Sequence, residues 1–150
     1  METNLSSARI TSHFTLHEFV DSVTADKLGI ANIPSFQDVL NLSALCYFIL
    51  EPFRVFYQAP ILVTSGYRCP VLNKAVGGVS TSAHLTGNAA DICPVRTDLD
   101  SFSEFVSLLK VHLKNRDFDQ MIVYNKSKFV HISYFHFGRS NRKEVLWYDK

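Results

Sequence analysis

"SGYRCPVLNKAVGGVSTSAHLTGNAADI", residues 65–92, decides the fold, because it joins two apolar runs through a long polar stretch. The run before it, "PILVT" (60–64), is rich in β-branched residues and reads as a strand. The run that ends it, "AADICPV" (89–95), reads as a second strand. Between them "NKAVGG" (73–78) fits one or two helical turns stopped by Gly77 and Gly78. What remains is "SAHLTGN" (82–88), which neither a helical nor a strand period explains.

His84 and Asp91 are seven residues apart, a spacing that does not place them on one helical face. It does let a loop histidine and an aspartate in a strand converge, with Gly87 turning the chain between them. Imidazole nitrogen and carboxylate oxygen are ordinary zinc ligands. A third ligand is on offer in "FVHISY" (129–134). There strand alternation puts His131 and Ser133 on one face and Val130 and Ile132 on the other. Three protein ligands plus a water is the arrangement of a catalytic zinc site. On spacing alone, each histidine equally fits a solvated or hydrogen-bonded role, and Asp91 a cap or an ion pair.

Outward from this stretch, the N-terminal third reads as helical. In "FTLHEF" (14–19), Thr15 and Glu18 have the spacing of a capping box, and Phe14 and Phe19 that of a hydrophobic staple, opening a helix expected to end near Gly29. "IPSFQDVLNLSALCYFILEPFRVFY" (33–57) reads as one long helix with Ser35 as N-cap. Phe36, Val39, Leu42, Cys46, Ile49 and Phe53 form its apolar face, and Pro52 is expected to kink it. "DSFSEFVSLLKVHLKN" (100–115) is a third helix, with Phe102, Phe105, Val106, Leu109 and Leu113 on one side. "FDQMIVYN", "KFVHISYF" and "EVLWYD" are strand candidates, the first two joined by a turn at "NKSK" (125–128). Helices first and neighbouring strands later predict an α+β fold with a mainly antiparallel sheet.

The chain has 150 residues, 47% apolar and 19% charged, which is the composition of one globular domain, expected to span 1–150. A net charge of +1 gives no general electrostatic reason to expect nucleic acid as a partner. No segment reaches the ~18 consecutive apolar residues of a membrane span. "METNLSSARI" lacks the basic and then apolar pattern of a signal peptide, so the expectation is synthesis in the cytoplasm and action outside only after release or export. Cys46, Cys69 and Cys93 are an odd, sparse set without a C-x-x-C pair; they read as thiols, and a Cys69–Cys93 bridge stays open.

The stretches "SGYRCPVLNKAVGG" and "SAHLTGNAADI" resemble the zinc D-Ala-D-Ala carboxypeptidase family, peptidase family M15. The family hallmark S-x-H-x-x-G-x-A-x-D is matched without a mismatch from Ser82 to Asp91. "VHIS" (130–133) resembles its second histidine motif, and "HFTLHEFVDS" (13–22) and "NRKEVL" (141–146) resemble its small single-domain members, so the likeness spans about residues 12 to 148. The resemblance implies a small α+β domain of the Hedgehog/DD-peptidase type, with helices packed on a sheet that carries zinc. It implies that His84, Asp91 and His131 ligate Zn2+, that Arg68 stabilises the oxyanion, and that Ser82 lies beside the substrate, where it either bonds a peptide group or caps the turn. The implied reaction is hydrolysis of peptide bonds in peptidoglycan stem peptides, of the carboxypeptidase or the endopeptidase and lysin type.

One position departs from the pattern. Family members carry an acid three residues before the second histidine, and here that residue is Lys128, read as a turn residue pointing away from the metal. Some relatives place an acid near Tyr124, where this chain has none. Asp119 in "FDQMI" is the nearest acid and the candidate base, a position that equally fits a strand-edge or turn residue. The substitution at Lys128 keeps a second reading open, a zinc-bearing module that binds wall peptides or a protein partner with little catalysis.

Overall fold

The capping box at Thr15 opens the first element of the computed structural model, which describes residues 7–96 and 98–149. The Glu18 carboxylate accepts from Thr15 N–H at 2.7 Å and from Thr15 Oγ1 at 2.9 Å, starting α1 (Leu16–Val20). Buried Phe14 and Phe19 close the staple at 6.0 Å between ring centroids. The helix does not run on to Gly29 in one piece. The backbone turns extended at Asp21 and Ser22, and Ser22 Oγ accepts from Ala25 N–H to start α2 (Val23–Leu28). Short polar side chains compete with the helical backbone in this way, which is why they end one helix and cap the next. Gly29 then closes α2 at φ 63°.

Ser35 caps the long helical run as expected, its Oγ accepting from Asp38 N–H. The run comprises α3 (Phe36–Leu45), a π-helical turn (Cys46–Leu50) and α4 (Glu51–Tyr57). Pro52 lies at the start of α4, just after the π turn. Having no N–H, it leaves the Phe48 carbonyl without its helical donor. Arg116 Nη1 donates to that carbonyl at 3.4 Å instead. Leu42, Leu45, Cys46, Ile49 and Phe53 are fully buried, while Phe36, expected on the same face, is 78% exposed in the first turn of the helix. Residues 36–57 are long and apolar enough to cross a membrane by length and composition; here their apolar face belongs to the core.

Five strands form one mixed sheet in the order β1-β2-β4-β3-β5. These are β1 (Ile61–Ser65), β2 (Ala89–Pro94), β3 (Gln120–Tyr124), β4 (Phe129–Ser133) and β5 (Glu144–Tyr148). The pairs β1–β2, β2–β4 and β3–β4 are antiparallel, and β5 joins β3 in parallel at the edge. α5 (Pro70–Ala75) lies in the connection between β1 and β2, and α6 (Leu99–Leu113) follows β2. Ala90, Ile92, Met121, Val123, Val130 and Ile132 form the helix-covered face of the sheet, packed with Phe102, Phe105, Val106, Leu109 and Leu113 of α6. The opposite face carries Asp91 and His131. All three cysteines are free thiols, so no Cys69–Cys93 bridge forms.

Candidate metal centre

Asp91 and His131 are directly opposite one another in the antiparallel register of β2 and β4. Opposed side chains of such a pair share a face and lie within contact distance. Alternation then sends Val130 and Ile132 into the core, both fully buried, and leaves His131 half-buried on the other side. His84 comes from a 3-10 turn, Ala83–Thr86, in which the His84 N–H donates to Ser82 Oγ. Gly87 ends that turn at φ 68° and redirects the chain into β2. Its missing Cβ matters doubly, because a side chain there would strike the Asp38 carbonyl of α3. Asn41, also on α3, donates to the Thr86 carbonyl at 2.8 Å and pins the turn.

Three ligand atoms converge. His84 Nε2 lies 3.2 Å from Asp91 Oδ1 and 3.1 Å from His131 Nδ1, and His131 Nδ1 lies 3.0 Å from Asp91 Oδ1. A tetrahedral ion with bonds of about 2.0–2.1 Å holds its ligands about 3.3 Å apart, so this triangle is close to the size such an ion needs. His84 Nδ1 contacts the Gly66 carbonyl at 2.6 Å. That carbonyl can only accept, which puts the proton on Nδ1 and leaves the Nε2 lone pair facing inward. With both rings neutral, three acceptors meet with no proton between them, and a cation resolves the repulsion. When the inward ring nitrogens carry protons instead, their hydrogen bonds and charge outweigh the effect of burial, which alone would raise the pKa of the Asp91 carboxyl, and hold it well below the ordinary value.

Arg68 stands against the same carboxylate. Its Nη2 donates to Asp91 Oδ2 at 3.0 Å, its Nε to Ser65 Oγ at 2.9 Å and its Nη1 to Asn73 Oδ1 at 3.4 Å. Its backbone is equally fixed. Arg68 N–H donates to the His84 carbonyl at 3.1 Å, and Asn32 braces the neighbours by donating to the Tyr67 carbonyl and accepting from Cys69 N–H. Nothing in the sequence marked Asn32 or buried Asn73 as supports; isolated asparagines in loops carry no pattern.

The other expected residues fall around this centre. Ser82 lines the same open cleft of about 860 Å³ that holds the triad and Arg68. Lys128 adopts φ 55° in the turn before β4 and places its Nζ 5.4 Å over the Phe102 ring. It thus turns to the helix-covered side, away from the triad. Tyr124 lines the cleft, stacked between Phe129 at 4.4 Å and Tyr148 at 5.4 Å. Asp119 reaches the cleft wall but is sealed at 0% exposure. Its Oδ1 accepts from Arg142 N–H and Nε, and its Oδ2 from Arg142 Nη2, Arg139 Nη2 and Ser133 Oγ. Burial alone would raise its pKa, but Arg142 and Arg139 lower it. A carboxylate has about four lone-pair sites, and five donors fill them. The expectation that Asp119 is a free base does not fit this environment. The two arginines gave no signal beyond the basic "GRSNRK" (138–143) ahead of β5.

A mixed sheet that presents two histidines and an aspartate in a cleft, with a guanidinium locked to the aspartate, has the equipment of a metal-dependent hydrolase. The Peptidase M15 family model matches residues 12–133. The chain belongs to the peptidase M15 family. The search of curated proteins found no match.

Proposed function

We propose that this protein is a zinc-dependent peptidase that hydrolyses peptide bonds in the stem peptides of bacterial peptidoglycan. The observation that carries this reading is the convergence of His84 Nε2, Asp91 Oδ1 and His131 Nδ1 within 3.2 Å beside Arg68. His84, Asp91 and His131 would hold a zinc ion, which would lower the pKa of a bound water and polarise the scissile carbonyl. Asp91 divides its labour, with Oδ1 turned to the metal site and Oδ2 to Arg68. Arg68 spends three of its five N–H groups on Asp91, Ser65 and Asn73. The remaining two are free to bond the oxyanion that develops on the substrate carbonyl. Ser82 uses its oxygen as an acceptor for His84 N–H, so its own O–H is available to a substrate peptide group.

Among the described residues, the carboxylates lining the cleft are Asp91 and Asp119. The first faces the metal site and the second is saturated by arginines. Tyr124 cannot take their place as a base at neutral pH, because burial and the nearby Asp91 raise its phenol above the ordinary 10. A positioned acid–base group contributes about 10²–10⁴-fold to such a reaction. The proposed peptidase is accordingly slow. This same observation supports a second reading, a zinc-bearing module that binds wall peptides with negligible turnover.

Digestion of purified peptidoglycan followed by mass spectrometry separates the two. New peptide fragments that are absent from a chelator-treated control support the peptidase and name the bond cut. Binding to the wall without new fragments supports the module.

A further inference from the structure

Arg142 and Arg139 both cover Asp119, but they are committed to different degrees. Arg142 donates from its backbone N–H, Nε and Nη2 to the Asp119 carboxylate, and its Nη1 lies 3.6 Å from Glu144. Arg139 donates only through Nη2, at 2.7 Å to Asp119 Oδ2. Its guanidinium stacks on the Phe135 ring at 3.8 Å, and its side chain is 44% exposed on the cleft wall. Among the described residues, its Nε and Nη1 have no hydrogen-bond partner. A planar fork anchored at one nitrogen and backed by a ring is ordered before it binds anything.

The fork lines the same cleft as the metal centre, and its anchor Asp119 is tied to β4. Ser133, which bonds Asp119, follows His131 by two residues on the same face. Two strand residues span about 7 Å, the length of one to two residues of an extended peptide. The charges of Arg139, Arg142, Asp119 and Glu144 cancel, so the cluster acts at contact through free N–H groups rather than at long range. Nε and Nη1 lie on different edges of the guanidinium, and either one, paired with the second N–H of Nη2, makes the planar pair that matches a carboxylate bidentately.

We propose that Arg139 is the carboxylate-recognising residue of the cleft, binding a carboxylate that the peptide carries one or two residues from the bond held at His84, Asp91 and His131. The identity of the peptide rests on the peptidase reading above, whereas the recognition does not depend on turnover. A terminal α-carboxylate and an acidic side chain offer the same chemistry.

The test is calorimetric titration of the zinc-loaded protein with three short D-alanyl peptides whose central amide is reduced to a methyleneamine, so that none is cleaved. One ends in a free acid, one in an amide, and one in an amide with a D-glutamate supplying the carboxylate. The expected result is that one of the two acids binds about tenfold tighter than the neutral amide. Arg139→Gln is expected to abolish that preference and leave binding of the neutral amide unchanged, and Arg139→Lys to fall between them. Which acid is preferred names the source. Equal binding of acids and amide to the wild type, no binding of any of the three, or a preference that survives Arg139→Gln overturns the proposal. A preference that depends on Arg139 in a protein that cleaves no wall peptide would sustain it while defeating the peptidase reading.

Discussion

Arg68 and Asp91 share one bond, Nη2 to Oδ2 at 3.0 Å, made on the carboxylate oxygen that the two histidines leave free. The guanidinium is thereby held beside the metal ligands without occupying any of their inward-facing atoms. Removing it takes away donors to the oxyanion but leaves the three ligand atoms in place. Arg68→Ala is expected to lower kcat by about 10²–10³ while zinc content stays unchanged. Arg68→Lys restores charge without the fork and recovers only part of the loss. Steady-state kinetics paired with metal analysis check this. A variant that loses its zinc, or one that keeps more than a third of its activity, contradicts the assigned role.

Asp119→Asn separates an anchor from a base. The carboxylate is buried under Arg139 and Arg142, and its amide replacement leaves those donors poorly matched. A loss of about 3 kcal/mol in stability is expected, read as a lower midpoint in denaturant. Below the melting range, the acid limb of the pH–rate profile should not move. Collapse of activity with stability intact would instead make Asp119 the base.

The sheet face of the centre was legible because it follows from alternation. Val130 and Ile132 against His131 and Ser133 fix which side each faces, and the hallmark from Ser82 to Asp91 fixed the turn that delivers His84. The helix ends were less legible. Asp21 and Ser22 break the first helix by local capping that competes with an otherwise continuous apolar pattern. Pro52 announced a disturbance, but the donor that serves the Phe48 carbonyl in its place, Arg116, lies 68 positions along the chain. The saturation of Asp119 was hidden for the same reason, since its partners lie 20 and 23 residues away. β5 reads as a strand in isolation, yet its parallel pairing with β3 is a tertiary choice.

Tyr124 supplies a gain-of-function test. It lines the cleft, where Asp91 and Arg68 both influence its hydroxyl. Tyr124→Glu introduces a carboxylate on the cleft wall at a modest cost in stacking with Phe129 and Tyr148. The rate on wall peptides is expected to rise at least about tenfold. No rise in a folded, zinc-loaded variant would show that the missing acid is not what limits turnover.

His112 gives the fold a pH dependence. It packs between Phe53 and Phe56 at 5.5 and 5.7 Å. Burial, with the charge of Arg116, pushes its pKa from 6.5 down to about 4. The unfolded chain therefore binds a proton that the folded chain refuses between those values. The contribution is fully present above pH 6.5 and is lost as pH falls to about 4. It amounts to about 3 kcal/mol at most, reduced by the partial exposure of the ring. Thermal melts from pH 7.5 to 4.5 should fall more steeply for the wild type than for His112→Phe. Parallel curves would rule His112 out as the source.

The central claim is the metal centre, and metal analysis of the purified protein tests it most directly. Wild-type protein dialysed after exposure to zinc is expected to hold about one zinc per chain. His84→Ala and Asp91→Ala, with unchanged circular dichroism, are expected to hold none. A wild type without stoichiometric zinc under these conditions, or alanine variants that retain it, would contradict the account.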